Sequence, residues 1–550
     1  MADNVEIIPS DDPVDEKYRV YASIAFALLL LGVGIPLWWH TTAVPRVALP
    51  YSGIDDLSNL ELKILSTITI ASISKSRGEL LAEEISREFK NCELYKIVIR
   101  NKQISRDLTS SAFTPSDHEE IARDFDVKEG EILLLEAPNL DKVLVGSNRS
   151  VFFPSDTSGF KLTQLLSQWI LRNESLALTR NALTDPTKYR LDDENRRRFP
   201  ASSAYDVLLT VINPEPEKLN VDWDLPKLVK DYLEPFLDHV ASIATFSVKS
   251  QWLYLMPLDV RPKQIPDNSV LGRHYALSED VLPQLITPFE KKIASQVSRH
   301  PCINLITYMA PCEHAPIHIY TREGHKTKFM HNLEGFLSPR WGAVAISNPD
   351  PQACAESKEN EIIKSNVSPA AVMGAFVTQL RLLLGIPDPN DIIGGAQVSP
   401  LVDSKPRQWE LDALLRVRAI EQLTSAKLTL QSLAQLLKEI SNIVITDTVA
   451  NRIKSALELV QQSGDQLERG QLTQGFLLSK EAFITAEAAF TDPSLLALLY
   501  FPEDQKYAVY IPLFLPVMIP VLLSLKKIKR YYFSGHFWRT GFNFFSNVSS

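Results

Sequence analysis

Two long uncharged apolar runs stand near the two ends of the chain, at residues 20–39 and 507–525. At 1.5 Å per residue, a helix of either length reaches roughly 30 Å, the thickness of the hydrocarbon core of a bilayer. The first run follows an acidic segment, whereas a cleaved signal peptide would begin with a basic one. The second run leads directly into basic residues, unlike a buried core segment. Both runs are therefore predicted to be transmembrane helices.

Basic residues beside these runs predict the orientation of the chain. A basic cluster at residues 526–530 follows the second run, Lys17 and Arg19 precede the first, and Arg46 lies beyond it. Positive clusters stay on the cytosolic side of a membrane. The predicted cytosolic segments are residues 1–19 and 526–550. The body between the two helices is then lumenal.

Residues 41–390 alternate strand-like and helix-like segments. The strand candidates are rich in β-branched and aromatic residues: 62–72, 94–99, 132–136, 142–153, 205–212, 247–255, 303–309, 317–320 and 343–347. The helix candidates repeat apolar residues at helical spacing: 78–89, 160–183, 226–240 and 282–297. This alternation predicts a lumenal α/β domain with a parallel or mixed sheet.

Residues 405–491 have an all-helical pattern. From Leu411 to Leu437, leucine and isoleucine recur at intervals of three and four residues, or at multiples of these where a turn is skipped. A second helical run extends from Val449 to Phe490, with expected interruptions at Gly464 and Gly470. Long amphipathic helices of this kind pack against each other, against the α/β domain or against a partner. The predicted fold class is thus an α/β body with a C-terminal long-helix region, flanked by one transmembrane helix at each end.

Composition excludes several classes of protein. The chain has 550 residues, 45% of them hydrophobic, and a net charge of −9. This is ordinary globular composition, so an intrinsically disordered chain is excluded. A mildly acidic chain without a concentrated basic patch is a poor nucleic-acid binder, because phosphate neutralisation supplies most of that affinity. No nucleic-acid partner is expected.

Cysteines and glycosylation motifs bear on the lumenal assignment. The chain has four cysteines, which allow three pairings, and the sequence does not choose among them: Cys92, Cys302, Cys312 and Cys354. Three Asn-X-Ser motifs in the lumenal part are candidate N-glycosylation sites: Asn148, Asn173 and Asn366. A fourth motif, at Asn547, lies in the predicted cytosolic tail and is expected to remain unmodified.

A group of cysteines and histidines near residue 310 resembles the ligands of a zinc site. Cys302, Cys312, His314 and His318 have suitable side chains, with further histidines nearby. Their spacing is poor, however, and Pro316 disfavours the helix that would place His314 and His318 on one face. Cys312 with His314 is a still weaker nucleophile–base pair. The sequence therefore predicts neither a metal site nor a cofactor, and no catalytic residue.

Asp222-Trp-Asp224 matches the Asp-X-Asp pattern with which glycosyltransferases hold a metal and a sugar nucleotide. Asp124-Phe-Asp126 matches equally well, so the pattern is common. Asp222 and Asp224 also precede Leu225-Pro226, where a helix with Pro in its first turn is predicted, and capping by these residues is favoured. A membrane-anchored glycosyltransferase using Asp222 and Asp224 remains the alternative function.

Several longer motifs together resemble one family. They occur near the first apolar run, in the α/β region, in the helical region and before the second run: 35–39, 49–52, 338–342 (SPRWG), 379–385 (QLRLLLG), 409–412 (WELD), 441–445 (SNIVI), 492–506 and 510–516. Together they resemble the PIG-S subunits of glycosylphosphatidylinositol (GPI) transamidase. The resemblance covers about residues 20–527 and is densest after residue 338.

The resemblance implies a non-catalytic subunit of an endoplasmic-reticulum membrane complex. That complex cleaves the C-terminal attachment signal of a proprotein and transfers the new carboxyl end to a GPI lipid. The implied partners are a caspase-like catalytic subunit, membrane subunits and the lipid bilayer, with the proprotein and the GPI lipid as further candidates. A third hypothesis is a chaperone-like lumenal binding protein outside any transamidase.

Overall fold

The structure is a computed structural model. It describes residues 13–42, 44–110, 112–266, 271–293, 298–327, 333–356, 362–364, 367–401, 403–440, 443–497 and 503–533. The described residues form two compact units. The larger unit consists of Ser52–Gln431 and Lys454–Glu487. The smaller one consists of the chain up to Tyr51, Ser432–Ile453 and the chain from Ala488 onward.

A six-stranded sheet organises the first half of the larger unit. Its strands lie in the spatial order Gln397–Val398, Leu144–Val145, Ser150–Phe153, Ile132–Glu136, Ile64–Ser72 and Tyr95–Gln103. All neighbours are parallel except the second and third strands. Ile132–Glu136 is buried along its whole length, because parallel strands covered on both faces are apolar on both sides.

A five-stranded sheet organises the second half of the larger unit. Its strands lie in the order Leu333–Ser338, Gly342–Ser347, Cys302–Met309, Ala204–Asn213 and Thr245–Tyr254. The first two strands form an antiparallel hairpin and the other neighbours are parallel. Gly342 ends the hairpin turn with φ +153°, and a Cβ at this position would collide with the backbone of Asn304.

Two small sheets accompany these. One has the order Ile317–Tyr320, His274–Ser278 and Lys263–Ile265, and the other pairs Ile363–Lys364 with Leu219–Asn220. Leu285 and Phe289, from the helix Leu282–Ile293, pack in one apolar core with Ile306 of the five-stranded sheet and Ile317 of the first small sheet.

Helices cover the sheets and form the C-terminal part. The helices in the first part of the chain are Pro13–Leu29, Leu30–Gly34 (π), Ile35–Thr42, Tyr51–Asp56, Lys75–Phe89, Arg106–Ser110, Pro115–Arg123, Gly159–Gln164, Leu165–Ile170 (π), Asn173–Thr184 and Asp193–Arg197. Those that follow are Leu225–Leu228, Val229–Leu233 (π), Glu234–His239, Leu282–Ile293, Pro351–Glu356, Pro369–Leu384, Gln408–Glu439, Asp447–Glu468, Leu472–Phe490, Pro493–Ala497 and Glu503–Phe533. Short 3₁₀ turns occupy Leu57–Asn59, Glu279–Val281, Cys312–His314 and Pro389–Asp391.

The predicted fold class is confirmed in its main features, which are mixed α/β sheets, a helical C-terminal region and an apolar helix near each end. The predicted strand 142–153 is in fact two short antiparallel strands. In the run Val449–Phe490 the interruption predicted at Gly470 is confirmed, since two helices are separated there and its φ of +81° suits a helix end. The interruption expected at Gly464 is wrong, because Gly464 lies inside the helix Asp447–Glu468.

Candidate functional site

The smaller unit contains the two apolar helices. Tyr18–Thr41 and Tyr507–Lys526 are long and apolar enough to cross a membrane, and nearly all of each is exposed in the isolated chain. The first is a continuous helix with a π-helical segment at Leu30–Gly34. Here we call them the first and second apolar helices.

The two helices pack along one stripe of each. In the first apolar helix the least exposed residues follow a helical spacing: Val20, Ser23, Ile24, Ala27, Leu30, Gly34 and Trp38. The Trp38 ring packs edge-on against Tyr510 and Phe514 of the second helix, with ring centroids 5.6 Å apart in both pairs. Toward the other end of the pair, Ala27 and Val521 are buried. The helix pair therefore associates through aromatic, aliphatic and small side chains, and small residues are common where membrane helices pack together.

The three prolines of the second apolar helix lie outside this stripe. Pro512, Pro516 and Pro520 are inside the continuous helix Glu503–Phe533 and are all exposed. The covered side chains of this helix are instead Tyr510, Met518, Val521, Ser524, Leu525 and Ile528. One side of the helix thus packs on the first apolar helix, and another side presents the prolines.

The larger unit contains a polar cavity of about 1030 Å³. Its basic lining side chains are Lys63, Lys90, Arg180 and Lys427. Two of them have acidic partners, since Lys63 lies 2.7 Å from Glu61 and Arg180 pairs with Glu93. Burial, together with the charge of Arg180, lowers the pKa of the Lys427 ammonium group. Glu61 and Glu93 thus neutralise two of the four basic side chains in this cavity.

Two of the four cysteines form a disulfide and the other two are free thiols. Cys312 and Cys354 form a disulfide, which settles the pairing that the sequence left open. The Cys92 thiol donates to Asn173 Oδ1 at 2.8 Å. Burial, and then the negative charge of Asp206, raises the pKa of the Cys302 thiol, so it remains protonated. A protonated thiol is a poor nucleophile.

The histidines near the disulfide do not come together as ligands. His314 lies in the short turn Cys312–His314 beside the Tyr275 ring, while His318 Nδ1 bonds Glu334 Oε1 at 2.8 Å. Among the described residues, no group of three or more His, Cys, Asp or Glu side chains could hold a metal ion. One of the further histidines near this group in the sequence, His331, lies outside the described residues.

One of the two aspartates of the motif Asp222-Trp-Asp224 has a structural role. Asp224 Oδ1 accepts a hydrogen bond from the backbone N–H of Lys227 at 3.2 Å and caps the helix Leu225–Leu228, with Pro226 in the first turn. Asp222 is exposed, and it belongs to no group of three or more candidate metal ligands among the described residues. The arrangement agrees with the predicted cap and offers nothing to the glycosyltransferase alternative.

Two of the three predicted glycosylation sites lie in the described residues. Asn148 is half-buried, and its Nδ2 donates to Glu119 Oε2 at 2.5 Å. Asn173 is the first residue of the helix Asn173–Thr184, and its Oδ1 accepts the hydrogen bond from the Cys92 thiol. Asn366 and the tail motif at Asn547 lie outside the described residues.

Sequence reasoning missed a set of buried charges on the long helix Gln408–Glu439. Glu410 is fully buried and accepts hydrogen bonds from Arg381 Nη2 at 2.6 Å and from Arg407 Nη1 and N at 2.7 Å each. Asp412 accepts from Arg149 Nε at 2.6 Å and Nη2 at 2.9 Å. Two acidic residues of the WELD motif therefore tie this helix to segments distant in sequence.

A second cluster lies further along the same helix. Glu421 accepts from Arg418 at 3.0 Å and pairs with Arg198, and both arginines are almost fully buried. Arg418 also donates to the carbonyl oxygens of Phe199 at 2.9 Å and Leu384 at 3.1 Å. Charged residues that interrupt the apolar positions of this helix indicated such a cluster, but nothing in the sequence identified their partners.

Comparison with known proteins connects this architecture to one family. The PIG-S family, described as Phosphatidylinositol-glycan biosynthesis class S protein, matches residues 25–535. The chain is 35% identical to the GPI-anchor transamidase component PIGS of Rattus norvegicus, across 92% of this chain and 94% of that protein. The Homo sapiens component of the same name is also 35% identical, with the same coverage. The GPI transamidase component PIG-S homolog of Schizosaccharomyces pombe is 24% identical across 94% of this chain and 85% of that protein.

Proposed function

The chain belongs to the PIG-S family, and we propose that it is a subunit of GPI transamidase. The observation that carries the proposal is the similarity to transamidase components of the same name, which extends over 92% of the chain at 35% identity. In this role it supports cleavage of the attachment signal and transfer of the proprotein to the GPI lipid. Its partners are a caspase-like catalytic subunit, other membrane subunits and the bilayer, with the proprotein and the GPI lipid within reach of the complex.

The proposed role is non-catalytic. Transamidation through a cysteine requires a thiolate and a nearby base. Burial raises the pKa of Cys302, and Cys312 is in a disulfide with Cys354. The remaining thiol, Cys92, donates to an amide oxygen instead of a histidine. These contacts support a structural subunit that leaves the chemistry to another chain.

The proposed location is the endoplasmic-reticulum membrane, with two spans and both termini in the cytosol. The length and composition of the two apolar helices support the spans. The basic residues at 526–530 and at Lys17 and Arg19 support the orientation. A glycosylation acceptor tag fused to either terminus is expected to remain unmodified, while the same tag inserted in the exposed turn at Gly324 is expected to be glycosylated.

N-glycans are proposed at the lumenal motifs Asn148, Asn173 and Asn366. At Asn173 the carboxamide oxygen makes the contact to Cys92, so the nitrogen is available for the sugar. At Asn148 the nitrogen itself donates to Glu119, so a glycan there replaces part of that contact. Single Asn→Gln changes, compared by gel mobility with and without a glycosidase, test each motif separately.

Complementation of depleted cells tests the main proposal. An immunoblot follows a GPI-anchored reporter in cells that lack this chain but contain mature GPI lipid. Full-length proprotein with its signal uncleaved is expected to accumulate, and the wild-type chain is expected to restore processing. Normal processing in the depleted cells would refute the proposal.

Two variants separate a structural role from a catalytic one. Cys92→Ala combined with Cys302→Ala removes both thiols outside the disulfide and is expected to restore processing as well as wild type. Asp222→Ala combined with Asp224→Ala costs only a helix cap, about 1 kcal/mol, and is expected to do the same. Loss of processing by either variant, at normal protein level, would contradict the non-catalytic role.

A further inference from the structure

The three prolines of the second apolar helix leave carbonyl groups without hydrogen-bond donors. Pro512, Pro516 and Pro520 lie inside the continuous helix Glu503–Phe533. Proline has no N–H, so the carbonyl four residues earlier loses its helical partner. The affected carbonyls belong to Ala508, Pro512 and Pro516. Because the prolines recur every four residues, these acceptors lie along one side of the helix.

The first apolar helix does not cover this side. Tyr510, Met518 and Val521 are among the residues covered by the helix pair, whereas the three prolines are exposed. At 100° per residue, the prolines are centred about 140° around the helix from the covered stripe. We call this side, formed by Pro512, Pro516, Pro520 and the neighbouring Leu523, the proline face.

A hydrocarbon environment makes these acceptors costly. Lipid tails contain no hydrogen-bond donors, and irregular backbone at membrane depth is tolerated where neighbouring helices or water satisfy it. The exposed side chains that flank the prolines, Leu513, Ile519 and Leu523, are purely apolar. An apolar partner helix would leave the carbonyl oxygens unpaired, whereas one with hydroxyl or amide side chains complements their partial negative charge.

We propose that the proline face binds a membrane helix of a companion subunit that carries hydroxyl or amide side chains about once per turn. These side chains donate to the carbonyl oxygens of Ala508, Pro512 and Pro516. The inference rests on the proposed two-span anchorage in the transamidase and goes beyond it by assigning the contact surface and the chemistry of the partner. The first apolar helix then holds one side of the second, and the companion helix holds another.

Site-specific photo-crosslinking in the full complex tests the surface. Leu522 and Leu523 are a matched pair, because they are adjacent in sequence, identical in type and 58% and 59% exposed. They point about 100° apart, with Leu523 on the proline face. A photo-reactive residue at 523 is expected to crosslink to a membrane-spanning peptide containing Ser, Thr, Asn or Gln. The same residue at 522 is expected to give at least fivefold less of that product.

Equal yields at the two positions, or only lipid adducts at 523, would overturn the inference. Capture of a second copy of this chain at 523 would overturn the assignment to a companion subunit. Extraction of membranes at alkaline pH distinguishes this failure from failure of the proposed function. A chain that remains in the membrane and supports reporter processing, but gives no protein crosslink at 523, refutes the proline face alone. A chain released by alkali refutes the anchorage as well.

Restoring the missing N–H groups provides a second test. Changing Pro512, Pro516 and Pro520 together to Ala lets the helix satisfy its own carbonyls, so the partner loses its acceptors. Interhelical hydrogen bonds in membranes are individually weak, and loss of three is expected to weaken co-purification of the crosslinked partner about twentyfold, equal to about 1.8 kcal/mol.

The matched control changes three exposed apolar residues on a different side of the same helix: Ile511, Leu515 and Leu522, each to Ala. This control leaves the backbone hydrogen bonds unchanged and is expected to retain the partner. Alanine favours a helix more than proline does, so the proline variant is expected to insert normally. Equal retention of the partner by the two triple variants would overturn the inference.

Discussion

Glu410 gives the sharpest test of how the long helix is held in the larger unit. Its carboxylate is fully buried and accepts three hydrogen bonds of 2.6, 2.7 and 2.7 Å from Arg381 and Arg407. The side chains of the two arginines are only 6% and 4% exposed. Burial lowers the pKa of Arg407, while the charge of Glu410 opposes that shift. The carboxylate is therefore the counter-charge for two cations that water cannot reach.

Glu410→Gln keeps the shape of the side chain and removes its charge. The amide nitrogen would face guanidinium donors, and both arginines would remain buried without a counter-charge. Breaking a buried ion pair by removing one partner costs about 3–5 kcal/mol. A typical domain has only about 5–15 kcal/mol of total stability. The variant is therefore expected to lose a large fraction of the stability of the larger unit.

Urea unfolding of the purified full-length chain in detergent measures this loss. Tryptophan fluorescence follows the unfolding, and Trp409, whose ring lies 4.7 Å from that of Trp169, contributes to it from the same region. Glu439→Gln is the matched control, because Glu439 is on the same helix but exposed, and surface changes usually stay within about 0.5 kcal/mol. If the two variants unfold at the same urea concentration, the reasoning is refuted.

The remaining predictions concern pH, backbone and covalent structure. Burial lowers the pKa of His118, so on acidification the unfolded chain takes up this proton before the folded chain does, and the free energy of unfolding falls as the pH drops below about 6.5. His118→Phe is expected to flatten this pH dependence between pH 7.5 and 5.5 in urea titrations. An unchanged dependence of stability on pH would contradict the prediction. Gly342→Ala is expected to destabilise the hairpin. Gly374→Ala, in a helix with open space around it, is expected to stabilise the protein by about 0.5–1 kcal/mol. Shifts of the melting temperature with the same sign for both variants would contradict this prediction. Replacing Cys312 and Cys354 by Ser opens a loop of sequence separation 42 and is expected to lower the free energy of unfolding by about 4 kcal/mol. The difference in urea midpoint from the wild type measures this loss. The wild type with its disulfide reduced must show the same loss, or the prediction is wrong.

Much of the fold could be predicted from residue patterns alone. The strand Ile132–Glu136 was predicted with its observed bounds, because a short apolar run between polar residues is typical of a buried strand. Ile317–Tyr320, in which buried and half-buried side chains alternate, was also predicted with its observed bounds. The two apolar helices were equally clear, since their length and lack of charge do not depend on any neighbour. Asp224 was predicted as a cap from its position before Leu225-Pro226, and it caps that helix.

The candidate site was less predictable, because it depends on which segments meet. The sequence left three cysteine pairings open, and only the fold brings Cys312 to Cys354. The apolar stripe of the helix Gln408–Glu439 was visible, but the charges within it gave no indication of Arg149 or Arg381 as partners. Ion pairs over such sequence distances are set by tertiary packing, which local periodicity does not encode.

The sequence by itself determined that this protein has two apolar helices, an α/β part, a long-helix part and membership of the PIG-S family. Local hydrophobic periodicity and extended similarity are properties of the chain, so they can be read without coordinates. Only the tertiary structure decided that the prolines of the second apolar helix face away from the first, and that Glu410 and Asp412 are buried ion-pair partners. The direction of a helix face and the partner of a buried charge depend on what packs against them, and that is decided by the assembled fold.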